Sequence, residues 1–180
     1  LFVKPARSGS SRGTTKVKQK SELAAAVNNA LGFDTKVIIE QSVVGKEIEC
    51  AVLHADGKLT VSQVGQILLS DKFEFYDFQA KYLDNSMQLL VPADLPAGVE
   101  AKIQQAALTA FKAAGCEGLA RIDFFYSTEG EIIINEINTM PGFTPTSVYP
   151  KLIEKSGVNY QQLITKLIQT AQNRSLSITR

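Results

Sequence analysis

The chain has 180 residues, 44% of them hydrophobic and 21% charged, an ordinary balance for a globular protein of one or one and a half domains. Lys and Arg number 19 against 18 Asp and Glu, which excludes bulk attraction to nucleic acid or to an anionic membrane, so charge must act locally. With two cysteines and one histidine, a disulfide framework and a Cys- or His-rich metal centre are also excluded.

The opening LFVKP reads as a short strand stopped by Pro5, already under way at Leu1, which points to a piece of a longer protein. ARSGSSRG is a polar Gly/Ser loop and TTKVK resumes an extended pattern. KSELAAAVNNALGF is predicted to be a helix, with Ser21 as N-cap, a stripe of Leu23, Val27, Ala30 and Leu31, and Gly32 at its end. KVIIEQ is a strand, and GKEIECAVLHADGKLTVSQVG reads as two strands around an Asp56-Gly57 turn, with His54 at the surface. Residues 68–96 are aromatic and charged with weak periodicity, the pattern of a long functional loop. A second helix carries Val99, Ile103, Ala107, Ala110 and Phe111 on one side and ends at Gly115. After a hairpin come a short helix in TSVYPKLIEKSG and an amphipathic one, NYQQLITKLIQTAQN, with Leu163, Ile164, Leu167, Ile168 and Ala171 as its buried stripe. No apolar run approaches the roughly 20 residues of a membrane span, and no signal peptide is visible. Cys50 and Cys116 are expected to be reduced thiols of a cytoplasmic protein.

The hairpin RIDFFYSTEGEIIINEINTMPGFT places charge among isoleucines. With Ser127–Gly130 as the turn, Tyr126 is expected opposite Glu131, Asp123 opposite Ile134 and Arg121 opposite Glu136. Arg121, Asp123, Glu136 and Asn138 then share one face, and a one-residue slip would separate Asp123 from Glu136. Two carboxylates and an amide suit Mg²⁺, whose other ligands are water and phosphate, with Arg121 beside it to meet an anion. The same residues also fit a half-exposed strand with a weak Arg121–Glu136 surface pair. The Pro141-Gly142 turn exposes backbone N–H groups that could hold an oxyanion.

Two further groups stay open on the residues alone. KPARSGSSRG puts Lys4 before glycines and hydroxyls, which is either an anion cradle or a flexible connector; its spacing is not that of a Walker A loop. In IIEQSVVGKEIE, Glu40 and Glu47 flank a short apolar link, which either frames a heterocycle or is plain surface.

Taken in this order, FVKPARSGSSRGTTKV, IIEQSVVGKEIECAVL, FYDFQAKY, GLARIDFF and NEINTMPGFTPTSVYP resemble the ATP-grasp fold and, within it, the D-alanine–D-alanine ligase family, over nearly the whole chain. The resemblance implies an α+β chain of antiparallel sheets with packed helices. Residues 1–43 would be a partial nucleotide-binding subdomain, and residues 44–180 a C-terminal catalytic domain with a mobile loop at about 68–96. ATP would lie between the sheets.

Lys4 would contact its α and β phosphates, Glu40, Gln41 and Val43 would hold adenine, and Glu47 the ribose. Asp123, Glu136 and Asn138 would bind two Mg²⁺ or Mn²⁺ ions. On the loop, Lys81 would reach the γ phosphate, and Tyr82 would pair with Ser10 to help seat the substrates. Arg121 and the Gly142 N–H would stabilise an oxyanion, and Ser147 would bind the carboxylate of the second D-alanine. The implied reaction makes D-alanyl-D-alanine for peptidoglycan through an acyl phosphate. The partners would be ATP, D-alanine, the missing N-terminal domain and a possible second copy of the full-length protein, with no nucleic acid and no membrane. Arg12 and Gln79 depart from the family's usual residues, while Tyr82 favours D-alanine over D-lactate as acceptor. The missing upstream part leads us to expect no ligation, and at best weak Mg-ATP binding, by this piece alone. An ATP-grasp carboxylate–amine ligase with another acceptor, and a non-catalytic nucleotide-binding module, are the competing readings.

Overall fold

The computed structural model describes residues 1–68, 88–144 and 146–174, and the chain adopts the α+β class expected from its sequence. Two compact units are present, one built on Leu1–Val44 and the other on Gly45–Ile67 together with the chain from Leu89 onward.

The first unit is a three-stranded antiparallel sheet in the order β2-β1-β3, with β1 at Phe2–Pro5, β2 at Thr15–Lys16 and β3 at Val37–Glu40. Helix α1, Leu23–Leu31, buries Ala26 and Ala30 against Val3 and Val17. Its stripe is thus Leu23, Ala26, Val27 and Ala30, and Leu31 is left exposed. Ser21 does not cap it. Lys20–Glu22 form a 3-10 turn first, and the Glu22 carboxylate turns back to accept from the N–H groups of Lys18 (2.8 Å) and Gln19 (3.2 Å), donors the helix itself cannot satisfy. The Gly/Ser loop is structured. Ser10 and Ser11 both sit at φ 55, and the Arg12 and Thr14 N–H groups bond back to Gly9 and Ser11.

The second unit is a six-stranded sheet ordered β7 (Gln88–Leu90), β6 (Gly65–Leu68), β4 (Gly45–Ala55), β8 (Leu119–Ser127) and β9 (Ile132–Asn138), with β5 (Lys58–Val61) also paired to β4. The 11-residue β4, Gly45–Ala55, runs along β8, Leu119–Ser127, on one side. On its other side it pairs with β5, Lys58–Val61, and then with β6, Gly65–Leu68. The Asp56-Gly57 turn has φ of 53 and 69, the positive values a two-residue hairpin demands. Strand β6 was not distinguished in the sequence. At Ser62 the hydroxyl accepts from the Ala51 N–H (2.9 Å) and donates to the Gln63 carbonyl (2.6 Å), breaking one strand into two. Strand β7, Gln88–Leu90, falls inside the segment expected to be an irregular loop; its Leu89 lies beside Gly65, where an added Cβ would meet it at 2.8 Å. Within that expected loop, residues 91–96 are irregular as expected, and residues 69–87 lie outside the described residues.

One face of this sheet, carrying Ile48, Cys50, Val52, Ile122 and Phe124, is covered by α2, Val99–Ala113, through Ile103, Ala107, Ala110 and Phe111. Alternate residues Ala51, Leu53 and Ala55 are also buried, and they face the other way, where α3 (Val148–Lys155) and α4 (Tyr160–Asn173) contact β4. In α4 only Leu163 is fully buried. Ile164 and Leu167 are half-buried, while Ile168 and Ala171 are exposed, so only the first turns of that stripe reach the sheet. His54 is half-buried within β4 rather than at the surface, and its backbone N–H donates to the Gly118 carbonyl at 2.8 Å.

Candidate functional site

The hairpin of β8 with β9 (Ile132–Asn138) brings the polar residues together by a different register from the expected one. Tyr126 lies opposite Ile132, Phe125 opposite Ile133 and Phe124 opposite Ile134. Continued regularly, that ladder would set Asn135 opposite Asp123 and turn Glu136 toward the core with Ile122. Instead the register shifts between Asp123 and Phe124, Asn135 is the extra residue of a bulge, and Asp123 pairs with Glu136 and Arg121 with Asn138. The expected pairs Asp123–Ile134 and Arg121–Glu136 do not form, yet the four polar residues do share a face. The shared face is settled by side-chain contacts. The Asn138 amide Nδ2 donates to Asp123 Oδ2 at 2.9 Å and approaches Glu136 Oε1 at 3.3 Å.

Arg121 closes the cluster. Its Nε donates to Asp123 Oδ1 and one terminal nitrogen to Oδ2, both at 2.7 Å, a forked pair. Burial alone would lower the pKa of the Arg121 guanidinium, but its hydrogen bonds to Asp123 and the charges of Asp123, Glu49 and Glu136 raise it instead, so it is a permanent cation. Glu49, unforeseen in the sequence, stands opposite Asp123 on β4 and sets Oε2 2.9 Å from Arg121 Nε. The single hydrogen on Nε is directed to Asp123, so the Glu49 contact is an ion pair and not a second aligned hydrogen bond. The signal for it was present: Glu47 and Glu49 are two apart on a strand and therefore project from one face. Glu47 is half-buried opposite Phe125.

Three carboxylates against one guanidinium leave this face with an excess of negative charge, the condition for attracting a divalent cation. Among the described residues no group of three or more Asp, Glu, His or Cys is gathered for a metal. The chain can therefore offer the carboxylates of Asp123 and Glu136 and the amide oxygen of Asn138. This hard, incomplete donor set fits Mg²⁺, which keeps water and phosphate as its remaining ligands.

From Asn138 the chain runs through an irregular stretch into α3, on the sheet face opposite α2. Ser147 is the residue before α3, but its hydroxyl does not cap the helix. It turns back to Thr144, accepting from the backbone N–H at 2.9 Å and lying 2.8 Å from Thr144 Oγ1. Gly142 is exposed, and a Cβ there would stand 2.8 Å from Ser147 Oγ, so only glycine permits this close approach.

In the first unit Lys4 and Glu40 lie diagonally across β1 and β3, with Nζ 2.7 Å from Oε1. Gln41 and Val43 follow β3 in irregular backbone, Gln41 exposed and Val43 half-buried. Ser10 is half-buried in its turn. Lys81 and Tyr82, and with them the expected contacts to a γ phosphate and to Ser10, lie outside the described residues, as does Gln79.

Comparison with known proteins bears on what this face serves. The family model described as D-ala D-ala ligase C-terminus matches residues 1–169. A D-alanine–D-alanine ligase of Shouchella clausii is 51% identical over 97% of the chain, which covers 47% of that relative. The chain thus spans about half the length of the curated relatives it matches. Among solved structures, the VanG D-Ala:D-Ser ligase of Enterococcus faecalis superposes with a TM-score of 0.81 at 46% identity, over 94% of this chain and 48% of that one. The D-alanine–D-alanine ligase of Bacillus anthracis complexed with ATP gives 0.75 at 29% identity, over 95% and 52%.

Proposed function

The chain belongs to the family of D-ala D-ala ligase C-termini, an ATP-grasp fold, and from that membership we propose that it works within a longer ligase joining two D-alanines at the expense of ATP, for peptidoglycan precursors. The observation that carries this reading is the convergence of Arg121, Asp123, Glu136 and Asn138 on one sheet face, with two carboxylates and an amide beside a buried guanidinium.

Residues 1–43 would contribute to nucleotide binding and residues 44–180 the catalytic part. Lys4 would meet the α and β phosphates, with Glu40, Gln41, Val43 and Glu47 at the nucleoside and Lys81 at the γ phosphate. A carboxylate of the first D-alanine attacks the γ phosphorus, the bond to the β phosphate breaks, and an acyl phosphate and ADP result. The amine of the second D-alanine then attacks the acyl carbon, phosphate leaves, and the amine proton passes to solvent or to phosphate. Mg²⁺ held by Asp123, Glu136 and Asn138 would neutralise phosphate charge, without which one anion cannot approach another. The tetrahedral oxyanion of the second step needs fixed donors, and the Arg121 guanidinium and the Gly142 N–H are offered for it. Tyr82 and Ser10 would seat the substrates, and Ser147, ahead of α3, would receive the carboxylate of the second amino acid.

D-serine is the second reading for the acceptor, favoured by the 46% identity to a D-Ala:D-Ser ligase. ADP formation by the full-length protein, measured with a panel of D- and L-amino acids and by mass spectrometry of the dipeptide, tests both. D-alanine-dependent ADP formation that vanishes in Asp123→Asn is the expected result. Turnover with D-alanine and D-serine mixed but with neither alone, or ATP bound without turnover under any amino acid, would sink the corresponding assignment.

A further inference from the structure

We propose that Glu49 is a positioning residue, an anchor that keeps the Arg121 guanidinium in place when Asp123 is drawn to a cation. The inference rests on the ligase reading above, because it concerns the moment when Asp123 and Arg121 must serve different partners.

In the structure these two residues are engaged with each other, both Asp123 oxygens accepting from Arg121 at 2.7 Å. A carboxylate that also ligates a divalent cation has much of its charge neutralised, and its hold on a neighbouring guanidinium weakens accordingly. An arginine released at that step would swing on a flexible stem. Arg121 has a second counter-charge that does not belong to the metal set. Glu49 Oε2 lies 2.9 Å from Nε, and the Glu49 side chain is only 5% exposed. The strand beneath it is central: Glu49 pairs with Gly65 of β6 on one side and Asp123 of β8 on the other, between Ile48 and Cys50, both fully buried. Its backbone is therefore pinned on both edges.

A buried carboxylate costs stability unless it is matched, and a chain could fill this place with an apolar side chain at less cost. Its retention here is explained if the charge holds Arg121 at a fixed angle.

The test uses the full-length protein with Glu49→Gln, which keeps shape and removes charge. Hydrogen exchange at the Arg121 Nε–H, followed by NMR with Mg-ATP bound, reads the position of the guanidinium without turnover. Steady-state assays read kcat and KM for ATP. We expect Nε–H exchange and kcat each to change by about tenfold or more, in opposite directions, with KM for ATP within about twofold, since the loss falls on the transition state and not on nucleotide binding. Glu49→Asp, which keeps the charge but withdraws it by one methylene, should fall between, and it carries the same test if Glu49→Gln does not fold. Unchanged Nε–H exchange, or faster exchange with kcat intact, overturns the proposal. If the unaltered protein shows no amino-acid-dependent ADP formation, the ligase reading fails by that result, while the exchange measurement still decides whether Glu49 holds Arg121.

Discussion

Asp123 and Glu136 face each other across the hairpin because Asn135 is looped out of the ladder between them. Below the bulge Phe124 pairs with Ile134 and above it Asp123 pairs with Glu136, so the face that carries the carboxylates depends on how many residues stand between Ile134 and Glu136. Deleting Asn135 leaves a regular ladder in which Glu136 still opposes Asp123. Inserting an alanine after Asn135 with the bulge kept sets that alanine opposite Asp123 and Glu136 opposite Ile122, in the core, where an unmatched polar group costs roughly 2–7 kcal/mol. We therefore expect the deletion to keep Mg-ATP affinity within about tenfold, a change of ~1.4 kcal/mol, and the insertion to abolish binding and lower the thermal midpoint. Calorimetric titration of both full-length variants checks this. Equal loss in the two would mean that the bulge itself, and not the facing of the carboxylates, is what matters.

How much of this was legible beforehand varies residue by residue. The shared face of Arg121, Asp123, Glu136 and Asn138 could be read from alternation, since polar residues recur at every second place on each strand. The bulge could not, because Ile132, Ile133 and Ile134 fit either register and only tertiary packing chooses between them. For Glu49 alternation places it on the same face as Glu47, but its partner Asp123 lies far along the chain, and that long-range pairing leaves no local pattern. Leu31 and Ile168 were misplaced for a related reason: periodicity marks an apolar stripe, but the neighbouring element decides how much of it is covered.

Gly142 and Ser147 form the second dependent pair. A Cβ at Gly142 would come within 2.8 Å of Ser147 Oγ and displace it from Thr144. Gly142→Ala keeps its backbone N–H but crowds the Ser147 hydroxyl, so it should lower the thermal midpoint, raise acceptor KM and lower kcat/KM by about tenfold, ~1.4 kcal/mol. Adding Ser147→Ala removes the overlapping oxygen. In the double variant the thermal midpoint should recover while acceptor KM stays raised, because the hydroxyl is also gone. Recovery of KM together with the midpoint would show that Ser147 has no part in binding.

Acid sensitivity should come in part from the first unit. Asp34 accepts two bonds from the Arg7 guanidinium (3.1 and 2.5 Å) and one from the Lys36 N–H (3.1 Å), and these hold its carboxyl well below the usual range, led by the Arg7 bonds. A depressed carboxyl stabilises the fold fully above its unfolded pKa, about 4, and that contribution fades as pH falls further. Asp34→Asn should be the less stable protein at neutral pH, with a thermal midpoint that declines less steeply than wild type below about pH 4. Parallel declines measured by circular dichroism would remove Asp34 from the account.

The thiol of Cys50 reports on the sheet beneath the candidate site. Burial pushes its pKa up to about 12, and Sγ lies 3.9 Å from both the carbonyl and the hydroxyl of Ser62, on the opposite face of β4 from Glu49. Attack on a disulfide reagent requires the thiolate, so native Cys50 should be inert near pH 8, whereas an unfolded thiol with a pKa near 8.5 reacts readily. Its labelling rate then measures the opening of β4 between β6 and β8. Because the folded pKa is the higher one, the folded chain keeps its proton as pH rises above about 8.5 and the unfolded chain loses it, so stability falls through that window. Thiol-labelling kinetics of a Cys116→Ser variant should follow the opening of the central strands. Glu49→Gln, which removes no backbone bond and leaves Arg121 paired with Asp123, should leave that rate within about threefold. A much larger acceleration would mean that Glu49 holds the sheet together, a structural duty different from orienting Arg121.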